Sequence, residues 1–149
     1  MSRVVLLDTG PLGLVTNPNR SPQSTACARW LQSLIDQGVR IFLPEIADYE
    51  VRRELLRASK TRGIARLDRF GTLLEYLPLT TVAMRQAALF WAQARQQGQP
   101  TADDKNIDGD VILTAQAVTL DLPDTVVATT NVGHIARFTT ADLWQNITA

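Results

Sequence analysis

The sequence has one cysteine, Cys27, and one histidine, His134, among its 149 residues. A lone cysteine excludes an internal disulfide and a thiolate zinc cluster, and it suits a reducing compartment. Packed on a helix as a small apolar side chain, it needs no other role. Charge of one sign is also missing, because 15 basic and 15 acidic residues give a formal net charge of zero and a pI of about 6.6. No whole-molecule field draws in a polyanion, so any nucleic-acid contact must be local. The N-terminal stretch Met-Ser-Arg-Val-Val-Leu-Leu-Asp offers only a short apolar run before a carboxylate, too little for a signal peptide or a membrane span. A soluble, cytoplasmic protein with no membrane association is expected.

What is present is an ordinary core-forming composition, 45% hydrophobic and 20% charged, matching one globular domain over residues 1–149. There is no internal repeat, low-complexity tract or flexible linker. Val4 to Leu7 is an apolar run without alternation, as expected of a strand buried on both faces of a parallel sheet. A polar stretch from Thr16 to Ser24 reads as a loop, followed by a helix from Thr25 to Gln37 closed by Gly38. Arg40 to Leu43 is a second strand, and Pro44 opens a helix reaching Ser59. The pattern is helical again from Thr61 to Thr72 and strand-like from Leu73 to Leu79. Thr80 caps a helix running to Gln97. Gly98 to Asn106 reads as a loop, Asp108-Gly109-Asp110 as the opening of a further helix, Asp124 to Thr129 as a last buried strand, and Thr140 as the start of a short terminal helix. This alternation predicts a three-layer α/β/α sandwich with a four- to five-stranded parallel sheet.

In such folds ligands gather beyond the carboxyl ends of the strands, which directs attention to the residues that follow each apolar run. Asp8 follows the first strand, either as a site residue or as a turn residue or helix cap before Gly10-Pro11. On the helix after the second strand, Ala47, Val51, Leu55 and Ala58 form an apolar stripe with Glu54 inside its border and Glu50 just beyond. Periodicity alone leaves both glutamates open, and ion pairing with Arg53 or Arg57 at helical spacing is the plainer account of Glu54. Asp108 and Asp110 flank Gly109, where one acid suffices to cap a helix. Asp110 precedes Val111-Ile112-Leu113, a segment entering the core. Asp103 and Asp104 fall in the polar loop and are expected to be solvated. Thr130 and Asn131 emerge beside Asp8, with a hydroxyl and an amide able to hold a water or a phosphate. His134 is either a general base or a structural hydrogen-bonding residue.

The segments Val4 through Asp8-Thr9-Gly10-Pro11-Leu12, Pro44-Glu45-Ile46 through Glu50-Val51-Arg52-Arg53-Glu54-Leu55, Asp110-Val111-Ile112-Leu113-Thr114-Ala115-Gln116-Ala117, and Val126 through Asn131 together resemble PIN-domain proteins of the VapC-like toxin class. They span nearly the whole chain. The resemblance implies a PIN fold, a divalent metal site and cleavage of single-stranded RNA, as the toxin of a toxin–antitoxin pair and as a homodimer with an antitoxin partner. By position it places the metal-binding acids on Asp8, Glu50 and Asp110, and it favours Glu50 over Glu54. Many members carry a fourth acid where this chain has Asn131, so a second metal would need Asp108 to substitute.

An all-oxygen donor set suits Mg²⁺ or Mn²⁺ rather than zinc, and carboxylates around one or two such ions support phosphodiester hydrolysis. Asp8 and Asp110 are then the principal ligands, Glu50 a ligand or the orienter of the attacking water, and Thr130 and Asn131 the groups that position water or phosphate. Arg52, Arg53, Arg57, Lys60, Arg62, Arg66 and Arg69 form a basic stretch that could attract RNA or could be a solvated helix face. Trp30, Trp91 and Trp144 belong either to the core or to a partner surface. The missing fourth acid also admits a catalytically weak binding or regulatory module acting through a protein partner. A phosphoacceptor role for Asp8 is disfavoured, because Gly10 stands where a second aspartate would be needed.

Overall fold

The computed structural model describes residues 3–97 and 104–149, with side chains from 108 onward in the last segment. Five strands form one parallel sheet: β1 (Val4–Leu7), β2 (Arg40–Pro44), β3 (Glu75–Leu77), β4 (Thr125–Thr129) and β5 (Ala141–Leu143), in the order β3-β2-β1-β4-β5. The helices are α1 (Thr9–Thr16), α2 (Pro22–Asp36), α3 (Glu45–Arg57), α4 (Thr61–Leu73), α5 (Thr81–Gln96) and α6 (Asp104–Leu120). Among the described residues no helix is long and apolar enough to cross a membrane.

β1 shows why its sequence does not alternate. Val5 and Leu7 pack into one core with Leu12, Leu31, Val51, Leu55 and Leu67 from α1 to α4. Val4 and Leu6 pack into a second core with Leu113 and Ala117 of α6. Successive strand residues point to opposite faces, so a strand covered on both faces must be apolar throughout. α5 lies outside α6, joined to it through Ala87, Phe90, Val111 and Ala115. The expected α/β/α layering and the parallel sheet are both present.

Several boundaries differ from the sequence reading. Thr9–Thr16 is a helix, where Gly10, Pro11 and Gly13 had given no helical signal. Pro11 lies in the first turn, where a missing N–H leaves no bond unmade. The following loop is correspondingly shorter, and α2 starts at Pro22, capped by the Ser21 hydroxyl accepting from the Ser24 N–H at 3.0 Å. β3 is only three residues long. The segment from Thr140 is not a helix: Ala141–Leu143 pairs with β4 as an edge strand, and a single 3₁₀ turn follows at Trp144–Asn146. Most of the expected loop at 98–106 lies outside the described residues, but α6 has begun by Asp104. The Thr80 cap is as expected, its hydroxyl accepting from the Ala83 N–H at 3.0 Å.

The tryptophans divide. Trp30 and Trp144 rings lie 5.6 Å apart, and the Trp30 indole N–H donates to the Ile147 carbonyl, which fastens the C-terminus to α2. Trp91 is exposed beneath the Arg95 guanidinium. Gln116 is buried on α6; its amide donates to the Leu77 carbonyl at 2.9 Å and its side-chain oxygen accepts from the Ile46 N–H at 3.4 Å. It thereby ties α6 to β3 and to the start of α3. Leu113→Ala, emptying the core beneath the sheet, should destabilise the protein by about 2–5 kcal/mol, read as a lowered urea midpoint with an unchanged slope.

Candidate metal and active site

β1 is the central strand of the order, with the sheet built outward through β2 and β3 on one side and through β4 and β5 on the other. At such a switch point the connecting loops part and leave a crevice. Asp8 stands there, its N–H donating to the Ala128 carbonyl at 2.9 Å as the last rung of the β1–β4 ladder. Its carboxylate also caps α1, one oxygen accepting from the Thr9 N–H at 2.7 Å. The cap reading and the site reading of Asp8 are therefore compatible. The other oxygen accepts from the Thr129 hydroxyl at 2.7 Å.

Glu50 reaches the same place from the second turn of α3, where one carboxylate oxygen accepts from the Thr9 hydroxyl at 3.0 Å. Its side chain is 23% exposed and lies 3.8 Å from Arg53. Glu54, one turn on, is 61% exposed and paired with Arg57 at 2.9 Å. The structure thus separates two glutamates that periodicity could not. Asp110 arrives from α6, seven residues into a helix that starts at Asp104, so it is no N-cap. Gly109 brings α6 against Glu50: a Cβ at that position would sit 2.7 Å from one carboxylate oxygen and 3.0 Å from the other. Gly10 is similarly constrained, since a Cβ there would lie 2.5 Å from the Thr130 hydroxyl.

Asp8, Glu50 and Asp110 line one cavity of about 420 Å³ together with Thr9, Gly10, Thr129, Thr130, Asn131, Gly133 and His134. Asp108 is exposed and is not part of the cavity wall. Asn131 lines the cavity, but its side-chain oxygen is occupied by the Gly133 N–H at 3.1 Å in a tight turn. Thr130 is exposed at the rim. Burial, with the Arg137 charge adding to it, lowers the His134 pKa below its ordinary value, and its Nδ1 has no hydrogen-bond partner among the described residues. Sequence reasoning gave no role to Thr9, Thr129 or Gly109. Thr129 ends a buried strand beside a carboxylate, which was the available signal; the approach of Gly109 to Glu50 has no local signature.

The electrostatics are those of crowded acids. Burial pushes Asp110 from its ordinary 3.8 up to about 6, reinforced by the negative charge of Asp8 and Glu50. Burial also raises Asp8 against the opposing hydrogen bonds from Thr129 and Thr9. Glu50 is raised by burial, opposed by the Thr9 hydrogen bond, with the Asp8 charge adding to the rise and Arg53 to the opposition. The donor set is all oxygen, with His134 at its edge and Cys27 buried elsewhere with a thiol pushed up to about 12 by burial. That chemistry fits a hard divalent cation. The three acids face one another without closing into a finished cage: among the described residues no group of three His, Cys, Asp or Glu is spaced to hold a metal ion.

The basic stretch is not uniformly free. Arg52 bridges Asp48 and Asp68, Arg53 neighbours Glu50, and Arg57 pairs with Glu54. Arg66 donates to the Asn17 carbonyl at 2.9 Å. Together with Arg20, Arg29 and Arg69 it surrounds a cleft of about 470 Å³ between α2 and α4, with Val15, Phe70 and Leu73 supplying apolar surface.

No protein-family model matches the sequence, and no curated protein matches it. Solved structures do match the fold over almost its full length. VapBC2 from Rickettsia felis, bound to a DNA fragment from the promoter, matches with a TM-score of 0.72 and 15% identity, covering 95% of this chain and 98% of that one. The sandwich is PIN-like. FitAcB from Neisseria gonorrhoeae gives a TM-score of 0.70 and 20% identity over 96% and 99% of the two chains. DNA-bound VapBC from Salmonella typhimurium gives 0.64 and 18% over 97% and 99%. At these identities the likeness is one of fold.

A carboxylate whose pKa is raised by folding stabilises the native state below its unfolded pKa and loses that contribution as pH rises through the folded value. For Asp110 the window runs from about pH 4 to about pH 6. In metal-free protein, Asp110→Asn should therefore gain stability relative to wild type as pH is raised across this window, and the gap should hold above it. Urea midpoints of both proteins at each pH measure this, and added Mn²⁺ should narrow the gap at neutral pH.

Proposed function

We propose that the chain is a divalent-metal-dependent endoribonuclease that cleaves single-stranded RNA. The observation that carries this reading is the convergence of Asp8, Glu50 and Asp110, from three separate elements, on one cavity at the switch point of the PIN-like sheet. Asp8 and Asp110 would be the principal ligands of Mg²⁺ or Mn²⁺, with Glu50 completing the set or orienting the attacking water. When bound, such an ion activates water and offsets charge on the leaving oxygen of a phosphodiester.

The protein's own contribution is positioning. Thr129 and the Thr9 N–H each hold one Asp8 oxygen, which fixes the carboxylate plane. The Thr9 hydroxyl holds Glu50 at the cavity wall. Thr130 and Asn131 stand at the rim where a phosphate would enter. His134, its pKa lowered by burial and by Arg137, adds a hydrogen-bonding group at the cavity wall.

The fold neighbours are VapBC structures, the class that the sequence resembles, and this supports a toxin role with a protein antitoxin. The arginine-rimmed cleft between α2 and α4 supports the same reading, since its chemistry suits an acidic, amphipathic segment of a partner. Val82 and Leu89, exposed seven residues apart on one face of α5, support a homodimer. The reading further takes the chain as a single cytoplasmic domain.

Purified protein incubated with single-stranded RNA should cleave it with Mn²⁺ or Mg²⁺ and not with EDTA. Asp8→Asn should abolish cleavage. Thr129→Val, which removes the hydroxyl that orients Asp8 and that also accepts from the Asn131 N–H at 3.1 Å, should lower metal affinity or turnover by about 10–100-fold. Metal-independent activity that persists equally in Asp8→Asn would refute the assignment, and absence of cleavage in a folded, metal-loaded wild type would favour a binding or regulatory module.

A further inference from the structure

The cavity at the carboxylates continues beyond Glu50. A second cleft of about 230 Å³ begins at the same Thr9 and Glu50 and runs between α1 and α3 to Arg57 and Lys60 at the α3–α4 turn. On the α3 side Val51 and Leu55 form an apolar floor, with Glu50 at one end and the Glu54–Arg57 ion pair along the rim. The α1 side carries Gly13. Most helical glycines near the site are explained by crowding, since a Cβ on Gly10, Gly63 or Gly109 would meet a neighbour at 2.5–2.7 Å. Gly13 is different, because a Cβ built there meets no atom within 4 Å. Its backbone is helical and not in the left-handed region. Neither packing nor conformation calls for glycine at a position where alanine is the better helix former. What the missing side chain does is widen the cleft.

The charges at the far end are unequal. Arg57 is matched by Glu54 at 2.9 Å, while among the described residues Lys60 has no carboxylate within ion-pair distance. The cleft therefore offers an apolar floor adjoining the acids and, at its far end, a cation without an ion-pair partner among the described residues. Single-stranded RNA presents that pattern in reverse, an unstacked base flanked by phosphates.

We propose that this cleft is a nucleoside subsite for the strand cut at the carboxylate cavity, with a base or ribose lying on Val51 and Leu55 in the space left by Gly13 and the next phosphate reaching Lys60. The proposal rests on the ribonuclease reading above. The occupant is single-stranded RNA, and the opening beside Glu50 sets the strand's direction away from the cut.

The test uses the whole protein with Mn²⁺ and a fluorescein-labelled oligouridylate, followed by cleavage kinetics and, in EDTA, by fluorescence anisotropy. Gly13→Phe fills the cleft, Gly13→Ala narrows it, and Lys60→Gln removes the phosphate contact. Arg85→Gln, on the exposed side of α5, is the control, and circular dichroism with thermal melting checks the fold of each. Gly13→Phe should raise KM about tenfold with kcat within about twofold, and Gly13→Ala should fall between it and wild type. Lys60→Gln should weaken binding and lower the salt slope by about one, whereas Arg85→Gln should match wild type. A folded Gly13→Phe with unchanged KM and affinity overturns the subsite while leaving the nuclease intact. Should Gly13→Phe fail to fold, an unchanged salt slope in Lys60→Gln overturns it equally. If wild type binds RNA without cutting it, the ribonuclease reading falls and the anisotropy series decides the cleft: affinity lost in the variants supports it, affinity retained overturns it.

Discussion

The hydrogen bond from the Asp8 N–H to the Ala128 carbonyl is the contact on which the site depends. It closes the β1–β4 ladder at the point where the two chains separate, and so sets the distance between everything that follows them. Asp8 leaves on the α1 side and Thr129 leaves toward the opposite loop, yet their side chains remain 2.7 Å apart. Without that last rung, α1 and the loop after β4 would have no common origin. Gly10 follows from the same constraint, because a Cβ at the start of α1 would lie 2.5 Å from the Thr130 hydroxyl on the loop after β4.

The groups around the acids are chosen from donors that orient without neutralising. Thr9 and Thr129 contribute hydroxyls and one backbone N–H, and Arg53 stays at 3.8 Å from Glu50 on the exposed side. A buried arginine in their place would satisfy the carboxylates and quench the site. Neutral donors hold both Asp8 oxygens and one Glu50 oxygen in place without cancelling their charge, and the crowding of the acids shows in the raised proton affinity of Asp110. The molecule as a whole carries no net charge, so this local excess is offset by basic side chains elsewhere, notably the cleft between α2 and α4.

The fold was largely legible because its signals are local. An unbroken apolar run marks a strand covered on both faces, and β1, β2 and β4 all announce themselves this way. α1 was missed because two glycines and a proline argue against a helix, while its stability comes from Asp8 and from packing of Leu12 and Val15 into the core. β5 was missed because an edge strand of three residues owes its existence to β4 rather than to its own composition. At the site, Asp8 could be found from strand-end geometry alone. Asp110 was obscured by an apparent cap, since the true start of α6 lies upstream. The choice between Glu50 and Glu54 is tertiary: both sit near one helical stripe, and only contact with Thr9 and α6 separates them.

Gly109 has a consequence for recognising this architecture in other sequences. It supplies no ligand atom and caps no helix, yet its lack of a side chain is what lets α6 approach the Glu50 carboxylate. A glycine in a helix interior normally reads as a defect of about 1 kcal/mol against alanine. In reading other sequences, a Gly-Asp pair well inside a predicted helix, rather than at its start, is therefore a place to look for an acid that the helix carries to a cavity shared with another element, as Asp110 is carried here.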